Sequence, residues 1–252
     1  MKVVYPVLLA LMVLTAACVK KPVPVTVDTV PAYSVDVEMT NMVGNSKLSL
    51  NDTWYKTANG DSLSITTYAY YMSNFVLTAD NGSTFSEPES YHLIDESRES
   101  SRKFSIAGVP AGTYTSVTFM IGVDSLRNVS GAQTGDLSTD FNMFWDWNTG
   151  YIMAKMEGKI GLNIVDNDLL YHMGGFSGPY SVLRTVTLQF PEPLIVKANT
   201  RPAIHMSNNA LEWFQTPTTI DIRANRFLGG RDNLVIVADN YMDMFSVEHI
   251  DQ

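Results

Sequence analysis

The stretch LSITTYAYYMSNFVL, residues 63–77, decides the fold. Alternation at period two places Leu63, Ile65, Thr67, Ala69 and Tyr71 on one face and Tyr68, Tyr70 and Met72 on the other, the arrangement of a β-strand. Both faces carry bulk, so a central strand is expected. Asp80-Asn81-Gly82 follows as a turn, because Asn and Gly tolerate the positive φ of tight hairpins, and SYHLID (90–95) reads as the return strand.

The same period recurs along the chain. In KFSIAGVPAGTYTSVTFMIGVD (103–124), Val117, Phe119, Ile121 and Val123 are expected to face inward, with Ser116 and Thr118 outward and Pro110-Ala111-Gly112 turning the chain. RTVTLQF (184–190) aligns Val186, Leu188 and Phe190, and LIV (194–196) continues the β pattern past Pro191 and Pro193. The period then changes. DNLVIVADNYMDMFSVEHI (232–250) spaces Leu234, Val237, Ala238, Tyr241 and Phe245 as a helix, with Asp232 as N-cap, and NNALEWF (208–214) reads as a second short helix capped by Asn208 or Asn209. No repeat occurs at a fixed period. The fold class expected is therefore all-β, an antiparallel β-sandwich with a short helical C-terminal segment.

The first residues read as an export signal. Lys2 precedes an apolar run, Val3 to Leu14, that is shorter than the ~20 residues needed to span a bilayer. Thr15-Ala16-Ala17-Cys18 resembles a lipobox, and Cys18, the single cysteine, stands where lipidation requires one. The alternative for Cys18 is a free thiol after an ordinary cleaved signal. The expected organisation is a signal peptide at 1–17, a lipidated Cys18 and Pro-rich tether at 18–33, and one domain at 34–252. Without Lys2, 16 basic residues face 26 acidic ones, a formal charge of −10 spread without blocks, which disfavours nucleic acid and anionic membrane surfaces as partners. The membrane is then reached through the lipid anchor alone. Lys20-Lys21 after Cys18, in place of the acidic residues that promote surface export in Bacteroidetes-type lipoproteins, favours the periplasmic face of the cell envelope.

Enzyme signatures are absent from the sequence. Gly175-Phe176-Ser177-Gly178 has its first glycine misplaced for a nucleophile elbow, and no HExxH, cysteine pair, phosphate loop or EF-hand occurs. Asp166-Asn167-Asp168 reads as a polar turn. A non-enzymatic protein is expected.

The four histidines, at 92, 172, 205 and 249, are the stock for any metal site, and two precede methionine, in His172-Met173 and His205-Met206. Imidazole suits copper and zinc, and thioether selects copper(I). Against this stands Met as core filler and each His as a half-buried polar residue with one hydrogen-bond partner. In YHMGG (171–175) two glycines after His172 let the backbone approach a neighbour closely. In FNMFWDWNTGYIMAKMEG (141–158), Met143, Trp145, Trp147 and Tyr151 share one side, and by pattern alone Trp145 and Trp147 are expected to pack in a core.

The ordered combination of GVD, SGAQTGDL, MFWDWNTGY and EG within residues 121–158, followed by HMGG, resembles the MbnP-like family of exported copper-binding proteins. The resemblance extends upstream to GDSLSITTYAYYMSNFVL (60–77) and downstream to NYMDMF (240–245). It implies a β-sandwich that binds one copper ion outside the cytoplasm through histidines and an oxidised tryptophan, with a di-haem cytochrome c peroxidase-type protein as partner. On that resemblance His172 is the first metal ligand. His92 is a second, near the family's Trp-x-His unit; Leu93-Ile94-Asp95 matches the stretch after that unit, but no tryptophan precedes it. Met173, Trp145 and Trp147 stand as soft ligand or pocket wall. The rival expectation is a metal-free envelope lipoprotein that binds a glycan, peptide or protein through aromatic residues such as Trp54-Tyr55 or Trp213-Phe214.

Overall fold

The computed structural model describes residues 32–131, 133–146, 150–162, 167–228 and 231–252. In chain order the first strands are β1 (Ala32–Val43), β2 (Ser46–Lys47), β3 (Tyr55–Lys56), β4 (Ser62–Ala79), β5 (Thr84–Ser86), β6 (Tyr91–Asp95), β7 (Lys103–Pro110) and β8 (Gly112–Ile121). They are followed by β9 (Phe144–Asp146), β10 (Gly150–Ile160), β11 (Asp168–Gly174), β12 (Arg184–Val196), β13 (Ala203–Asn209) and β14 (Phe245–Asp251). Two α-helices are present among the described residues, α1 (Ser125–Asn128) and α2 (Arg231–Tyr241), and none is long and apolar enough to cross a membrane.

These strands form two sheets. One runs β14-β13-β1-β2, with β7 also on β1; the other runs β11-β10-β4-β8-β12, with β3, β5 and β6 on β4 and β9 on β10. Pairing is antiparallel except between β1 and β13, which run parallel. β1 takes in Ala32 and Tyr33, which the sequence assigns to the tether. The Pro110-Ala111-Gly112 turn does more than close a hairpin. It carries the chain from β7 in one sheet to β8 in the other, and Val117, Phe119, Ile121 and Val123 are all buried behind it.

β4 is the central strand its composition requires, but its faces are not those of a regular alternation. Thr67 pairs with Glu157 while Ile65 pairs with Gly158, so Thr66 is one residue too many in β4. Such a bulge reverses the side-chain parity beyond it. Tyr68, Tyr70 and Met72 thereby turn to the same side as Leu63 and Ile65, towards the other sheet. A second irregularity falls at Asn74, whose φ of 56° is left-handed. Beyond it Phe75 is buried and stacks on Phe119 at 5.3 Å.

The C-terminal segment departs from the expected helix. α2 begins at Arg231, so Asp232 sits inside its first turn, and the helix ends at Tyr241. After the turn at Met242 and Asp243, residues 245–251 form β14 on β13. NNALEWF forms one 3-10 turn, Ala210–Phe214, with the Asn209 side chain accepting from the Leu211 amide and Leu211 and Phe214 turned inward.

Gly158 faces the Thr66 bulge, where a Cβ would fall on the Ser64 carbonyl oxygen. Gly158→Ala is expected to destabilise the fold by ~1–3 kcal/mol, as overpacking does, read as a lower urea midpoint with unchanged slope.

Candidate metal centre

Three strands place one row of polar side chains on the outer face of the smaller sheet. Glu38 on β1 is directly opposite His205 on β13, and His205 is directly opposite His249 on β14. Alternation sends the next residues inward, so Met39 and Met206 are buried. Residues 249 and 251 share a face because they lie two apart on a strand, which brings Asp251 beside both imidazoles.

The two rings stack at 4.1 Å with 9° between their planes. Asp251 spans both: its Oδ2 is 3.0 Å from His205 Nε2, and its Oδ1 is 3.9 Å from His249 Nε2. One donor atom from each residue lies within 4.8 Å of the others, and this is the one such group of three among the described residues. On the far side of the His205 ring, Glu38 Oε2 lies 3.8 Å from Nδ1 and pairs with Lys103 at 2.9 Å. Glu248 is an extra residue in β14. Hydrogen bonds from Ser207 and Ser246 hold its carboxyl below the ordinary value, with nearby His249 adding to them. Two imidazole nitrogens and one carboxylate oxygen, with His249 and Asp251 open to solvent, form a donor set for a divalent first-row metal.

The residues singled out by sequence lie elsewhere. His172, on β11 of the larger sheet, is half-buried, and its Nε2 is 2.7 Å from Glu157 Oε1. The other Glu157 oxygen accepts from Thr67 Oγ1 at 3.0 Å. Trp145 is the aromatic neighbour, 6.4 Å from the imidazole between ring centres. Lys155, directly opposite His172, is buried and donates to the Asn142 carbonyl at 2.6 Å.

His92 and His172 are not brought together. The register steps from His172 to Lys155, Ala69 and Asp95 across three strand pairs, ~14 Å at the usual spacing. His92 is three residues further along β6 and on the other face. Its ring stacks on Phe104 at 3.8 Å and its Nε2 is 2.9 Å from Glu87, so it is a packed histidine with one partner. Met173 is buried, turned away from His172 by alternation.

Trp145 does not fill a core: it is 44 % exposed and lies over Gly174, where a Cβ would overlap its ring. The paired glycines do allow a close approach, and what approaches is this indole. Trp147 and Cys18 lie outside the described residues. Of the other aromatic candidates, Trp54 is 53 % exposed, whereas Tyr55, Trp213 and Phe214 are buried.

The helical spacing read over 232–250 hides the His205, His249 and Asp251 group, because residues 245–251 form a strand. Positions i and i+2 diverge on a helix and share a face on a strand. The usable signal is His249-Ile250-Asp251 itself, a polar-apolar-polar triplet at period two.

A two-sheet β-sandwich with an imidazole and carboxylate cluster on an open face defines the class, a β-scaffold able to hold a metal on its surface. The family model described as MbnP matches residues 32–235, and the chain belongs to that family. The solved structure of MbnP from Methylosinus trichosporium is similar in fold, with a TM-score of 0.50 and 12% sequence identity over 73% of this chain and 78% of that one. No curated protein matches the chain.

The His172 pair yields a pH prediction. Burial works to raise the Glu157 carboxyl, but hydrogen bonds from His172 and Thr67 outweigh it and leave it below its ordinary 4.5. The pairing therefore stabilises the fold above about pH 4.5, and this contribution is lost as pH falls through the lower folded-state value. The Glu157 carboxyl carbon, followed by NMR, is expected to titrate below 4.5 in wild type and at higher pH in His172→Ala.

Proposed function

We propose that this chain is an exported, non-catalytic copper-binding protein of the cell envelope, which holds the ion and hands it on without turnover. The observation that carries the reading is the meeting of His205, His249 and Asp251 on one open sheet face. Membership of the MbnP family supports copper as the ion, because the family resemblance implies it. The proposed anchor is a lipid on Cys18, and Lys20-Lys21 after it favours the periplasmic face. The family resemblance also supports a di-haem cytochrome c peroxidase-type protein as partner.

The chemistry asked of the site is modest. Neutral imidazoles and an ionised carboxylate coordinate the ion, and solvent exposure leaves positions through which a donor or acceptor protein exchanges it. No described residue is required to act as nucleophile or general acid.

A second reading draws on one observation. Trp145, Phe176 and Tyr180 line a cavity of about 310 Å³ with Arg231, the kind of aromatic wall that anchors a glycan or peptide. It would hold if Trp145→Ala abolished partner capture while copper binding was absent from wild type.

Metal analysis separates the readings. After incubation with copper and removal of excess, wild type is expected to retain about one ion per chain and His249→Ala a small fraction of that. Equal, substoichiometric copper in both contradicts the proposal.

A further inference from the structure

The larger sheet carries a cavity of about 380 Å³ that the copper reading does not use. We infer that it binds a small organic acid bearing a hydroxyl or amino group beside its carboxylate, and that Lys155 anchors the carboxylate.

The floor of the cavity is one row of side chains across three strands. Lys155 on β10 is directly opposite Ala69 on β4, and Ala69 is directly opposite Asp95 on β6. Ala69 is the smallest of the three, so it leaves space between the two charged groups. The extra residue at Thr66 sets two consecutive threonines, Thr66 and Thr67, on the cavity wall. The roof is formed by residues 141–143. It is tied down at both ends: the Met143 carbonyl accepts from the Ile152 amide at 2.8 Å, and the Arg98 guanidinium lies 4.1 Å over the Phe141 ring.

Lys155 is the group that calls for a ligand. It is only 8 % exposed, and lysines are almost never buried to that extent without a partner. An ammonium has three donors. One goes to the Asn142 carbonyl at 2.6 Å, and among the described residues no carboxylate pairs with the others. The two acidic groups on the walls are engaged elsewhere. Glu157 pairs with His172 and accepts from Thr67, while Asp95 accepts from Arg98 Nε at 3.1 Å and from the Ser97 amide at 3.0 Å. A buried charge without a counter-ion is costly, and here it borders a space of ligand size.

The walls narrow the class of ligand. One positive charge lacks a partner, so one carboxylate matches it, whereas the second charge of a dianion would meet Asp95 and Glu157. Each of those carboxylates keeps lone pairs beyond the bonds it already accepts, so a hydroxyl or amino group on the ligand has an acceptor. Ala69, Phe141 and Met143 supply an apolar side for a short carbon chain.

The test uses the full chain with carbon-13 in its lysines, so that the ε-methylene of Lys155 is followed by NMR as lactate, alanine, acetate or inorganic phosphate is added. Lactate or alanine is expected to shift that signal saturably and to raise the unfolding midpoint, and the better of the two tells whether the second group is a hydroxyl or an amine. Acetate and phosphate should bind at least tenfold more weakly. Lys155→Met should abolish the rise in midpoint while the free variant unfolds no lower than wild type, since it removes a buried charge without breaking an ion pair. Ala69→Val, which fills the floor and keeps Lys155, should weaken lactate and alanine at least tenfold. No shift with any of the four compounds, or a Lys155→Met chain that is destabilised and a wild type that answers to none of them, makes Lys155 a structural residue and overturns the inference. Acetate or phosphate bound as tightly as lactate and alanine overturns the assigned class.

Discussion

The structure depends on a hydroxyl that has no access to water. Tyr70, from the middle of the central strand, ends between the two sheets, where its hydroxyl donates to Asn41 Oδ1 at 2.8 Å and accepts from Asn208 Nδ2 at 2.6 Å. Asn208 Nδ2 also reaches Asn41 Oδ1 at 2.7 Å, and Asn208 Oδ1 accepts from Tyr68 at 3.2 Å. The outer end is tied to Glu96 through Asn41 Nδ2, and Glu96 to Arg102. Burial raises both tyrosine hydroxyls well above their ordinary value, so they remain protonated donors. A buried polar group left unpaired costs about 1–3 kcal/mol, so the network tolerates one alignment of the strands that carry it.

That alignment is what builds the candidate metal centre. Asn41 and Asn208 are directly opposite each other on β1 and β13, and the same register, three residues back, sets Glu38 opposite His205. An odd offset puts the amides inside and the imidazole and carboxylate outside. A slip of one residue would bury His205 and expose Met206. The inner polar network therefore specifies the outer site through the shared register of β1 and β13. β14 completes the row by pairing with the free edge of β13.

Much of the sandwich was legible in the sequence because half-buried strands announce themselves at period two. Val117, Phe119 and Ile121 needed nothing beyond alternation. What alternation could not show was the extra residue at Thr66, because a bulge is defined by the partner strand, which no local window contains. It reverses which of Thr67 and Tyr68 faces the core. The tail failed for a related reason. Apolar spacing in Leu234 to Tyr241 is truly helical, and extending that period through Phe245 concealed β14. With it went the shared face of His249 and Asp251, while His172 and His92, singled out by the family resemblance, are the one paired with Glu157 and the other stacked on Phe104. Trp145 misled in the opposite sense. Its place on the heavier face suggested a core, whereas Gly174 lets it lie flat across the edge strand.

The proposed copper centre lies where β13 meets β14. The most direct measurement is the anomalous scattering of crystals of the copper-loaded chain, collected on both sides of the copper edge. The predicted result is one peak shared by His205, His249 and Asp251. A peak at His172 instead, or none in a crystal shown to contain stoichiometric copper, would contradict it.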